Sequence, residues 1–129
     1  MNFFITMKSS TSLSKWTNWK FDDIKHEVER GDEKSKTKLA WLKLSGCGGA
    51  KVDEDGAIDL LEERVKDKDS DAMWMLGVCY EYGIGIEQDV ERAEMLYKQS
   101  RESGNKIGVI YQSQKKYERG SGKMKMGRL

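Results

Sequence analysis

Apolar and small residues recur along this chain in bursts at helical spacing, separated by glycines and charged runs. The fullest burst spans residues 71 to 108 and reads DAMWMLGVCYEYGIGIEQDVERAEMLYKQSRESGNKIG. Ala72, Met75, Leu76, Cys79 and Tyr80 fall three and four positions apart, which predicts an amphipathic helix. Trp74 stands off that stripe, which leaves two readings open: an exposed aromatic anchor for a partner, or part of a packed helix-pair interface. Gly83 and Gly85 follow, and glycine reaches left-handed dihedrals cheaply, so the chain is expected to reverse there. Ser70 or Asp71 can cap the first helix and Asp89 the second. In that second helix Ala93, Leu96 and Tyr97 make the inward face, and Gly104 ends it.

The same grammar lies upstream in weaker form. Leu39, Ala40 and Leu42, with Trp41 beside them, predict a helix from Ser35 to Ser45, and Gly46, Gly48 and Gly49 then free the chain. Asp53 is placed to cap a following helix, with Glu54 and Asp55 favoured in its first turn by the dipole. Ala57, Ile58, Leu60, Leu61 and Val65 supply its apolar face, and Lys66 and Lys68 stand near its end. A shift of 37 lays Leu39 on Leu76, Ala40 on Gly77, Gly46 on Gly83 and Gly48 on Gly85. After the turn the shift is 36: Asp53 falls on Asp89, Ala57 on Ala93 and Leu61 on Tyr97. A step of 73 back from Gly104 reaches Gly31, and from Tyr97 it reaches Ile24, so part of a further unit precedes both. Self-similarity at this period is the mark of helix pairs that bury their faces on neighbouring pairs.

The motif Ala72-x3-Leu76-Gly77-x2-Tyr80-x2-Gly83-x-Gly85-Ile86-x2-Asp89-x3-Ala93-x3-Tyr97 resembles a Sel1-like repeat, a relative of the tetratricopeptide repeat. Its departures are Arg92 where lysine is usual and Leu96 where an aromatic often stands. In the upstream copy Ala40, Lys43 and Gly49 replace the usual glycine, tyrosine and branched residue. The resemblance covers roughly residues 35–108. It implies an all-α fold, a short right-handed α-solenoid of antiparallel helix pairs with about two full repeats and partial flanking helices. The expected division is a flexible arm at 1–14, a capping helix or partial repeat at 15–34, a degenerate repeat at 35–70, a well-formed repeat at 71–107, and a partial helix with a basic tail at 108–129.

The resemblance also implies a scaffold or adaptor that binds a protein or peptide. Secreted relatives linked to beta-lactam chemistry carry paired cysteines within each repeat; here Cys47 and Cys79 belong to different units. Candidate partner contacts lie on the helices before the glycine turns: Lys38, Trp41 and Lys43 in the first unit, Trp74, Val78 and Glu81 in the second. Gly46, Gly48, Asp53, Gly83, Gly85 and Asp89 are assigned structural turn and cap roles. The uncovered terminal face offers self-association.

Composition narrows the alternatives. The 129 residues are 37% hydrophobic and 35% charged, with no proline, which suits one thin-cored helical domain. The formal charge of +1 is uneven: 7 basic and 15 acidic residues fall in 48–102, while 103–129 carries 7 basic and one acidic. Lys115, Lys116, Arg119, Lys123, Lys125 and Arg128 could hold nucleic acid or an anionic membrane, but the acidic middle opposes a polyanion. A degenerate fragment of a longer array is another reading.

Chemistry finds little footing. The one histidine, His26, and two cysteines in separate units do not form a zinc pattern. A calcium loop starting at Asp53 would need an oxygen donor, glycine and glutamate where Ala57, Ile58 and Arg64 stand. Neither glycine cluster carries a phosphate-binding lysine. Glu62, Glu63, Glu91 and Glu94 suit solvated helix faces. The expectation is therefore no enzyme, no cofactor, no metal and no small-molecule substrate. The short apolar start MNFFIT is interrupted by Lys8, and the chain is expected in the cytoplasm.

Overall fold

A computed structural model describes residues 18–106. Five α-helices follow one another there: α1 (Phe21–Glu29), α2 (Ser35–Ser45), α3 (Glu54–Lys66), α4 (Ser70–Tyr82) and α5 (Val90–Glu102), with a 3-10 turn at Cys47–Gly49. There is no strand among the described residues. The arm and the basic tail with its lysines and arginines lie outside the described residues.

Each helix packs on its neighbours in sequence, and α2 also touches α4, so α2–α3 and α4–α5 form two stacked hairpins with α1 against the first. The hairpins close by equivalent bonds. The Asp53 N–H donates to the Lys43 carbonyl at 2.9 Å, and 36 to 37 residues later the Asp89 N–H donates to the Tyr80 carbonyl at 2.8 Å. Gly46 and Gly83 follow their helices in the left-handed region, each N–H bonded back into the last turn. Asp53 and Asp89 accept from the amides of Gly56 and Arg92, so both second helices start on a carboxylate cap.

The joint between hairpins departs from expectation. Neither Ser70 nor Asp71 caps α4; Asp69 does, its Oδ1 accepting from the amides of Asp71 at 2.9 Å and Ala72 at 3.3 Å. Asp32 makes the matching bonds in the turn that leads into α2, accepting from the amides of Lys34 and Ser35, while the cap position itself is held by Lys34.

The core runs through α2 and α4. Every residue from 72 to 80 is buried. This stretch holds no charged side chain, and a helix apolar all round is one surrounded by protein. Trp41 and Trp74 stand together in its centre, ring centroids 6.4 Å apart and planes tilted by 59°. Trp19 and Phe21, half-buried, pack against the same core. Gly77 lets α5 approach: a Cβ there would lie 2.7 Å from the Tyr97 ring.

Candidate functional site

The six residues expected to meet a partner separate into two groups. Trp41, Trp74 and Val78 are each 0% exposed. Of the two readings of Trp74 the structure shows the packed one: its indole N–H donates to Asp71 at 3.3 Å and its ring belongs to the core. Helical periodicity alone set it off the stripe, whereas α4 is covered on all sides.

The polar three lie nearer the surface and are tied into the fold. Lys43 donates to Asp53 Oδ2 at 3.1 Å, and Glu81 accepts from the Tyr97 hydroxyl at 3.1 Å. The Gly56 amide, and then Lys43, hold the Asp53 carboxyl below its usual range. Lys38, with about a third of its side chain exposed, sits 3.6 Å from Glu27 and 5.5 Å from the centre of the Trp19 ring.

Lys38 also lines a cleft of about 510 Å³ over the joint where α2, α3 and α4 meet. Its other walls include Trp19, Lys34, Arg64, Lys68 and Asp69. Arg64 is the cleft's buried cation, its side chain 9% exposed. It donates to Asp67 at 3.1 Å and, through Nη2, to Asp69 at 3.3 Å. The same Asp69 Oδ2 accepts from the Thr37 hydroxyl at 2.7 Å. One carboxylate thus caps α4 while holding side chains of α2 and α3, which makes the cleft floor rigid.

Sequence reasoning did not single out Asp69, Arg64 or the cleft role of Lys68. The available signal was the 37-residue shift, which carries Gly31-Asp32 onto Lys68-Asp69.

Reactive groups do not converge on this surface. Both cysteines are free, and burial, with Glu54 adding to it, pushes the Cys79 thiol up to about 12, far from forming a thiolate at neutral pH. Among the described residues no group of three His, Cys, Asp or Glu side chains could hold a metal ion. No helix among them is long and apolar enough to cross a membrane.

Stacked helical hairpins closed by equivalent bonds define an α-helical repeat protein of the solenoid class. Residues 70–105 match the family model described as Sel1 repeat. The matched segment takes in all of α4 and α5 and is similar to a Sel1 repeat. Comparisons with curated proteins and with solved structures gave no match.

Proposed function

We propose that this chain is a non-enzymatic binding module that holds a protein or peptide partner against its stacked hairpins. Sel1 and tetratricopeptide-like repeats serve generally in protein–protein contact, and the match at residues 70–105 supports that class of role. The observation that carries the reading here is the cleft over the α2–α3–α4 joint, about 510 Å³ in volume and walled by a half-buried aromatic ring and several long cations.

Residues 35–70 are read as a degenerate repeat and 15–34 as part of an earlier unit. The turns support this. A Cβ on Gly48 would strike the Trp19 carbonyl and approach Phe21, and one on Gly85 would strike Glu54. Phe21 and Glu54 each begin the second helix of the unit before, so both turns rest on the same place in the stack. The proposed compartment is the cytoplasm, where Cys47 and Cys79 would stay reduced.

Selection of a random peptide library on the immobilised full chain tests the reading. Enriched peptides that bind the folded chain with one-to-one stoichiometry by calorimetry are expected. A selection with no sequence enriched over blank resin, or peptides that bind only the heat-unfolded chain, would overturn it.

A further inference from the structure

The second helix of each unit leaves by the same device. Gly31, Lys68 and Gly104 follow α1, α3 and α5 with φ of 94°, 62° and 84°. Each donates its N–H to a carbonyl three residues back, and the next residue (Asp32, Asp69, Asn105) donates five residues back. Two of the three are glycine, as a left-handed dihedral favours. Lys68 is the one non-glycine residue with positive φ among the described residues. The motif does not demand that side chain, since a Cβ at Gly31 or Gly104 would meet nothing within 4 Å. A lysine at a dihedral that suits glycine directs attention to where its ammonium lies, and it lines the cleft.

Four cations line that cleft, Lys34, Lys38, Arg64 and Lys68, against three carboxylates. The carboxylates already serve the fold. Asp67 and Asp69 hold Arg64, and Asp71 accepts from the Trp74 indole and from the Asn105 amide at 2.8 Å. Lys38 is shared between Glu27 and the Trp19 ring. Lys34 and Lys68 are exposed, and neither makes an ion pair among the described residues. Two ammonium groups without an ion pair among the described residues thus share a cleft with an aromatic wall, and the three carboxylates beside them are already bonded to Arg64, the Trp74 indole and Asn105. We infer that the cleft receives an acidic peptide segment, its carboxylates meeting Lys34 and Lys68 and the stem of one acidic side chain lying along Trp19. This names a partner chemistry within the peptide-binding reading and rests on it.

Lys68→Gly separates binding from folding, because it relieves the strained dihedral while removing the ammonium. The probes are a fluorescent octapeptide of glutamates and its glutamine counterpart, titrated into the full chain by anisotropy. Wild type should prefer the glutamate peptide. Lys68→Gly should bind it about threefold to fivefold more weakly, the size of an exposed ion pair, with a Tm equal to or above wild type. Adding Lys34→Gln should weaken it again by a similar factor. Equal binding of the two peptides overturns the inference. So does glutamate-peptide affinity unchanged in the double variant, the result expected if the basic residues from Lys115 to Arg128 were the real site. Library-selected peptides that bind wild type and the double variant alike would remove the acidic-cleft assignment while leaving the peptide-binding reading standing. An empty selection would remove the reading itself.

Discussion

Gly77 and Tyr97 share a space with no room for a methyl group. A Cβ on Gly77 would lie 2.7 and 2.9 Å from the Tyr97 ring and 3.2 Å from the Ala93 carbonyl. In the upstream unit the matching residues are Ala40 and Leu61, a larger helix residue facing a smaller partner. Gly77→Ala should therefore destabilise, overpacking of about 1–3 kcal/mol exceeding the roughly 1 kcal/mol that alanine gains in a helix. Adding Tyr97→Leu should return part of that loss, and urea melts of the four-member cycle measure the coupling. Additive losses would show that the ring is not the obstacle.

Asp69 and Asp32 make a second residue-scale comparison. Both accept from backbone amides where a first helix begins, and asparagine serves there about as well as aspartate. Only Asp69 also holds the buried Arg64. Asp32→Asn should change stability by less than about 1 kcal/mol. Asp69→Asn leaves Arg64 with Asp67 as its remaining hydrogen-bonded carboxylate and should cost about 3 kcal/mol. Equal melts for the two variants would reduce Asp69 to a cap.

Among the elements, α4 sets the limits on how variants can be interpreted. Its side chains from 72 to 80 are enclosed by α3, α5 and part of α2. Trp74→Ala should cost about 3–5 kcal/mol through the cavity it leaves. Loss of binding in that variant would then report lost structure, and circular dichroism melts should show it before any binding assay. The hairpin α2–α3 carries a different dependence. Glu63, bonded to Lys36 at 2.6 Å, and Asp53 are both held below their usual carboxylate range, and Glu63 raises Lys36 in turn. A carboxylate depressed in the fold stabilises above its unfolded value, 3.8 for Asp53 and 4.5 for Glu63, and that stabilisation is lost as pH falls through the folded value. Lys36 runs the other way: its contribution is present below 10.5 and lost as pH rises through its raised value. The Tm should be flat from about pH 5 to 9 and fall on either side. An acid limb unchanged in Asp53→Asn would contradict the assignment.

For the whole molecule, the balance between local and distant information decides what could be read in advance. The helix pairs, their reversals and the all-α class were legible because each depends on residues close together in sequence: apolar spacing of three and four, a glycine after the last turn, a carboxylate before the next. The 37- and 36-residue shifts added the stacking order, since equivalent residues meet equivalent neighbours in a repeat. The same shifts also lay Asp32 on Asp69, but a register says only that two positions correspond. It does not say that one carboxylate will gather Thr37, Arg64 and the start of α4 around itself. Those partners come from three helices up to 32 residues apart, and only packing brings them together.

The sequence by itself determined a stack of helical hairpins and where each one turns, because turns and helix faces are written over a few residues. Tertiary structure alone decided which faces stay wet. It closed α4 on every side, taking Trp74 and Val78 into the core, and it left Lys34 and Lys68 at the rim of a cleft. Burial depends on how many neighbours surround a helix, and one helix's own periodicity does not contain that number.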